Sequence, residues 1–236
     1  MIEHTSATSP QVYARTAGAL YLVIIVCGIF SEVFVRGSLI VMDDASATAT
    51  NIIASEGLFR LGFVSDTLVF LSDVALAVLF YVLLRPVNPT LSLMAAAFRL
   101  TQTAIIGLNL LNHYAALMIL NGTDQLAAFN SEQLHALVLL FLNAHAHGYD
   151  LGLLFFGVNS VVVGYLVWRA PYFPKALGGL LIAAGAVYLM GSYLRFIVPD
   201  VGAAFTPAYG VALIAELAMC LWLLIKGVDV PRWQEA

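Results

Sequence analysis

The sequence predicts an all-α fold, an integral membrane bundle of six transmembrane helices, and three observations predict it. Of 236 residues, 61% are hydrophobic and only 10% charged, with a mean hydropathy of +0.93. A soluble domain is nearer half apolar and a quarter charged. The excess apolar area cannot all be hidden in a core of this size, so lipid must be its solvent. The apolar residues also fall into runs that reach the roughly 20 residues a helix needs to cross hydrocarbon. Finally, clusters of Pro, Gly, Asn and Asp separate those runs.

The runs cover residues 17–39, 58–84, 91–120, 147–168, 176–198 and 208–225. The first begins after Arg15, is interrupted by Glu32 and Arg36, and has no clear small-residue cleavage site, so it reads as a span and not a signal peptide. Residues 43–51 are polar and small and read as a loop, with Asp43 and Asp44 solvated. Pro86 and Pro89 bracket a tight turn. Asn121, Gly122 and Asp124 open the longest loop, in which Asn121-Gly122-Thr123 fits a glycosylation pattern but reads more simply as a turn. Across 131–143, Leu134, Leu137, Val138, Phe141 and Leu142 recur at helical spacing, with Asn130 or Ser131 placed to cap. A short interfacial helix is expected there, before the fourth span, with a break at Gly148; the alternative is that 131–146 continues into that span. Pro171 and Pro174 bracket a second tight turn, and Pro199, Asp200, Gly202 and Pro207 mark the last. In the fifth run, Gly178, Gly179, Gly185 and Gly191 allow close approach of a neighbouring span or of a second copy, so a homo-oligomer is one expected partner.

Arg15, Arg85, Arg169, Lys175, Lys226 and Arg232 fall on one side of this topology, against Arg36, Arg60 and Arg195 on the other. The positive-inside rule makes the first side cytoplasmic. The expected organisation is a cytoplasmic tail 1–16, a transmembrane domain 17–227 and a cytoplasmic tail 228–236, multi-pass in a cell membrane, with the bacterial inner membrane as the natural setting. His4 in the tail and His135 before the fourth span are read as solvated. The net charge of -4 and the lack of a basic cluster interleaved with aromatics leave no footprint for nucleic acid. Cys27 and Cys220 lie deep in apolar runs and read as small hydrophobes. One internal echo is visible: Asp66, Val74, Val78, Tyr81 and Arg85 match Asp150, Val158, Val162, Tyr165 and Arg169 at one ungapped offset, a pattern often found in transporter folds.

Ionisable groups in hydrocarbon cost about 2.5–3.5 kcal/mol each on insertion scales, so they mark where chemistry lies. At about 1.5 Å per helical residue, Glu32, Arg36, Asp66, His113, His147, Asp150, Ser192, Arg195 and Tyr209 fall in the outer half. Asp73, Arg99, Asn159 and Glu216 fall nearer the middle. Asp66 and Asp73 share a helical face, as do Arg99, Gln102, Asn109 and His113, and Tyr188, Ser192 and Arg195. These stripes predict a polar cavity open to the outside. Its candidate ligand-binding residues are Glu32, Asp66, Asp73, Arg99, Gln102, Asn109, His113, Asp150, Ser192, Arg195 and Glu216.

Arg99 has two readings: a buried ion pair with Asp73 or Glu216, or an anchor for an anionic ligand. The stretch His145-Ala146-His147-Gly148-Tyr149-Asp150 is either a polar helix start at the interface or part of a zinc-type metal site formed by His113, His147 and Asp150. Haem held between His113 and His145 or His147 is a rarer alternative. No cofactor is strongly implied. No phosphate loop, nucleophile elbow or Ser/His/Asp array is present at a recognisable spacing.

Several motifs carry a resemblance over nearly the whole chain. They are Ala14-Arg15-Thr16-Ala17-Gly18, Arg99, Phe155-Phe156-Gly157 through Gly164-Tyr165-Leu166, Pro174 with Leu177-Gly178, Glu216-Leu217, Trp222-Leu223 and Lys226-Gly227. On these the chain resembles the bacterial six-helix membrane proteins known as domain of unknown function 4386. The resemblance implies topology and not activity. Related sequences often carry a histidine where this chain has Asn159, so histidine chemistry does not transfer to that position.

Three functions follow as expectations. The first is a non-enzymatic membrane protein that binds or moves a small polar or amphiphilic ligand. The second is an accessory subunit or sensor whose charges only fix helix packing. The third is an intramembrane metal-dependent hydrolase using His113, His147 and Asp150, with Asp66 as base.

Overall fold

The computed structural model describes residues 9–122 and 126–236. His4 and the rest of residues 1–8, together with Thr123 and Asp124 of the longest loop, lie outside the described residues. Six helices are long and apolar enough to cross a membrane: Pro10–Leu39, Glu56–Leu84, Pro89–Leu120, Ser131–Arg169, Lys175–Ile197 and Thr206–Ile225, the first to sixth spans below. No strand occurs among the described residues.

Local chemistry sets the ends. The Ser9 side chain accepts from the Gln11 amide and Pro10 opens the first helix. Asn88 accepts from the Leu91 amide with Pro89 as the first helical residue. Both starts use an oxygen to satisfy an orphan N–H and a proline where no N–H is needed. Large apolar side chains such as Leu108 and Ile197 point away from the protein, 70% and 72% exposed. Such surface belongs against acyl chains.

The spans form a closed ring. Each packs on its neighbours in the chain, and the sixth closes against the first. Tyr21, Leu76, Leu83, Ala95, Leu166, Leu181 and Met219 fill the half of the bundle nearer the described termini. The glycines of the fifth span are spent inside this ring. A Cβ at Gly178 would lie 2.5 Å from the Trp168 amide nitrogen and 2.6 Å from the Gly164 carbonyl, and one at Gly185 would lie 2.7 Å from the Gly157 carbonyl. The fourth and fifth helices therefore touch backbone to backbone.

Three expectations are corrected. The short interfacial helix before the fourth span is not separate: Ser131–Arg169 is one helix of 39 residues, started by a reciprocal Asn130–Gln133 capping box. Gly148 does not break it. A Cβ there would collide with the Asn109 side chain, so this glycine lets the third helix come close. At about 1.5 Å per residue the helix far exceeds the roughly 30 Å of a hydrocarbon core. Its overhang packs Val138 and Leu142 against Val35, Leu39, Ile52, Phe59 and Leu117, which forms a second apolar cap outside the ring.

The polar stretch 43–51 is mostly helix, Ala45–Ala54, with the Asp44 carboxylate capping the Ala47 amide at 2.8 Å. Its composition masked the fact that Ile52 is buried in that cap. At the other end, the residues after the sixth span pack back on the bundle. Val230–Gln234 is helical, Val228 is buried, and the Trp233 indole donates to the Leu83 carbonyl at 2.9 Å.

Candidate functional site

The middle of the ring holds a polar layer to which every span contributes. Arg99 of the third span is buried and donates through Nε to Asp73 Oδ1 of the second at 2.8 Å. The Thr103 hydroxyl, one turn on, donates to Asp73 Oδ2 at 2.6 Å. The guanidinium lies 5.6 Å from the Tyr21 ring of the first span and 5.1 Å from Phe156 of the fourth. Phe156 meets Tyr188 of the fifth edge to face, and the Tyr188 hydroxyl donates to Glu216 of the sixth at 2.6 Å. Of the two expected partners, Arg99 takes Asp73, while Glu216 is held by a tyrosine. The narrow space beside Arg99, lined by Ser92 and Asn159 among others, does not admit a water molecule.

Glu32 and Asp66 are brought together by Arg36. A π-helical turn over Phe30–Arg36 widens the first helix and carries both Glu32 and Arg36. Arg36 donates to Asp66 at 2.7 Å, to Glu32 at 2.8 Å and to the Ser31 hydroxyl at 2.9 Å. Arg36 and Asp66 are shielded, whereas the Glu32 side chain is 72% exposed.

The second aspartate of the echo repeats the arrangement on the opposite side. Asp150 of the fourth span meets Arg195 of the fifth, 3.0 Å from Nε to Oδ2, without hydrogen-bond alignment. Ser192 lies one turn before Arg195, and the Tyr209 hydroxyl abuts Gly191. The buried Ser192 Oγ and Tyr209 hydroxyl lie near each other and have no other hydrogen-bond partner, and Asp150 Oδ2 has only the Arg195 ion pair. Buried polar atoms are rarely left so, because each costs about 1–3 kcal/mol. Arg195 is 42% exposed and marks the rim. Gln102 is buried, with an Oε1 that also lacks a hydrogen-bond partner.

The buried histidines belong to the second apolar cap. His113 stacks flat on Phe59, ring centroids 3.9 Å apart, and meets His145 edge to face at 5.5 Å. Asn109 donates to the His145 carbonyl at 2.7 Å. His147 is exposed, with Nδ1 2.8 Å from the Asn143 carbonyl. The expected trio of His113, His147 and Asp150 is not assembled: among the described residues no three His, Cys, Asp or Glu side chains group to hold a metal ion. The spacing that suggested a metal is used for packing, His113 against Phe59 and Asp150 toward Arg195. Imidazoles in mutual contact likewise leave no slot for a porphyrin between His113 and His145.

Sequence reasoning missed Tyr21, Thr103, Phe156 and Ser31 as members of these networks. Thr103 was within reach, since it lies four residues after Arg99 and shares its face. Tyr21 and Phe156 carry no signal that separates them from other aromatics in apolar runs.

The family described as "Domain of unknown function (DUF4386)" matches residues 16–227. The chain is also 32% identical over 160 residues to an uncharacterized protein of Archaeoglobus fulgidus, an overlap of 68% of this chain and 80% of the relative. No solved structure matches the chain. The chain belongs to the DUF4386 family.

Proposed function

We propose that this member of the DUF4386 family is a non-enzymatic, multi-pass cell-membrane protein that binds or moves a small polar or amphiphilic ligand, taken up from outside between the fourth, fifth and sixth spans. The observation that carries this reading is the cluster of buried polar atoms on Asp150, Ser192 and Tyr209, whose carboxylate is held only by the Arg195 ion pair. Three helices each supply one, and a half-exposed arginine stands beside them. A carboxylate, two hydroxyls and a guanidinium suit a ligand that presents both donors and acceptors. Orientation follows the charge count, with both termini in the cytoplasm and the Asp150 group toward the outside.

Glu32, Asp66, Gln102, Asn109 and His113 would take part only through a wider opening of the outer half. Asp73, Arg99 and Glu216 lie at its floor. The test is a thermal-shift screen of the purified protein in detergent against broad metabolite and lipid panels, repeated with Asp150→Asn. A ligand that raises the unfolding midpoint of the natural protein and not of the variant supports the reading. No response across the panels removes it.

A second reading, an accessory or sensor subunit whose charges only fix helix packing, draws on the closed Arg99–Asp73–Thr103 network. Among the described residues, a metal-dependent hydrolase has no assembled ligand set to rest on.

A further inference from the structure

We propose a second site, at the opposite end of the bundle, that holds the phosphate of an anionic phospholipid headgroup. An open cavity of about 460 Å³ lies between the 170–174 turn, the end of the sixth span and the chain that follows it. Tyr172, Phe173 and Trp222 form its walls, and Lys226 and Arg232 supply its cations.

The walls are fixed before any ligand arrives. The Tyr172 hydroxyl donates to the Leu83 carbonyl at 2.8 Å, and burial pushes this phenol up, so it stays a donor. The Trp233 indole donates to the same carbonyl, and the Trp222 indole to the Gly227 carbonyl at 3.0 Å. Gln11 of the first span clamps the far side: it donates to the Lys226 carbonyl at 2.9 Å and accepts from the Val228 amide at 3.0 Å. Gly227, at φ +70°, makes the left-handed turn that swings Val228 into this clamp.

The charge balance favours an anion. Asp229 pairs with Arg232 in an exposed contact of 3.3 Å, which is weak. The Lys226 ammonium makes no ion pair among the described residues. Two cations thus face one carboxylate. Arg15, Arg85, Arg169 and Lys175 lie at the same end, and tryptophan and tyrosine sit at headgroup depth in membrane proteins. Basic pockets at this level recognise phosphate headgroups. Leu221 and Ile225, each one residue before a lining position, are exposed apolar groups that offer a surface to acyl chains. That surface is why a lipid fits better than a soluble anion.

The experiment uses the full chain, purified in a neutral detergent. Its unfolding midpoint is followed on titration with dihexanoyl phosphatidylglycerol, dihexanoyl phosphatidylcholine and inorganic phosphate. Phosphatidylglycerol is expected to stabilise saturably, with an apparent affinity at least about tenfold weaker for phosphatidylcholine and for the Lys226→Gln/Arg232→Gln protein. Arg85→Gln, a cation at the same end outside the cavity, is expected to leave the titration unchanged. If the double variant does not purify folded, Lys226→Gln alone reads the same loss, since this side chain is exposed. An unchanged response in the variants, equal responses to the two lipids, or equal loss in Arg85→Gln overturns the proposal. A Lys226-dependent response to inorganic phosphate alone also overturns it, in favour of a soluble anion.

Discussion

Arg99 and Asp73 are joined through a single carboxylate oxygen: Nε and Nη2 both donate to Oδ1, while Thr103 occupies Oδ2. The pair is buried and both Asp73 carboxylate oxygens are occupied, so that charge is not available to a ligand without breaking another contact. Removing one partner strands the other in a low-dielectric interior. Arg99→Met or Asp73→Leu alone is expected to cost about 3–5 kcal/mol, and the double variant to recover most of it. Denaturant unfolding in detergent measures the cycle. A double variant as unstable as the singles means that Thr103, Tyr21 and Glu216 depend on the charges themselves.

Two arginines near the second apolar cap make a direct comparison. Arg36 is shielded and holds Asp66, Glu32 and Ser31, whereas Arg60 forms an exposed pair with Glu56 one turn away. Arg36→Gln is expected to destabilise by about 3 kcal/mol and Arg60→Gln by less than about 1 kcal/mol. Equal losses from the two would show that the π-helical turn does not depend on Arg36.

The contact of the fourth and fifth spans gives a sharper steric test. A Cβ at Gly178 meets backbone atoms of Trp168 and Gly164, which cannot rotate away, whereas one at Gly28 meets nothing within 4 Å. Gly178→Ala should lower the unfolding midpoint by an amount equivalent to about 1–3 kcal/mol, and Gly28→Ala should hold it or raise it slightly. A tolerated Gly178→Ala would mean that these helices can separate.

The Leu83 carbonyl, near the end of the second span, accepts from both Tyr172 and Trp233. Trp233→Phe keeps most of the ring contact and loses one hydrogen bond. A cost of about 1 kcal/mol is expected, together with faster proteolysis after Val228, read by mass spectrometry. Unchanged proteolysis would show that the C-terminal helix is held without this indole.

The spans, their order and the polar layers were legible in the sequence because each depends on local composition and helical period. Leu58 to Leu84 reads as one apolar run whatever surrounds it, and Asp73 and Arg99 betray each other by depth. What was not legible depends on contacts between distant segments. Ala45–Ala54 looks like a loop until Ile52 finds its place in the cap. Gly148 looks like a break until Asn109 is seen against it. The identity of the arginine partner of Asp66 or Asp150 could not be read from spacing, because the π-helical turn re-aims Arg36 and Arg195 comes from a helix that sequence distance alone does not place.

Gln11 is bonded to both the Lys226 carbonyl and the Val228 amide, so the two extremities of the described bundle are stitched to each other. The circuit of helices has no seam that depends on where the polypeptide starts. A circularly permuted gene, with new ends between Gly122 and Leu126 and a short linker joining the old ones, should therefore rebuild the same barrel of neighbours.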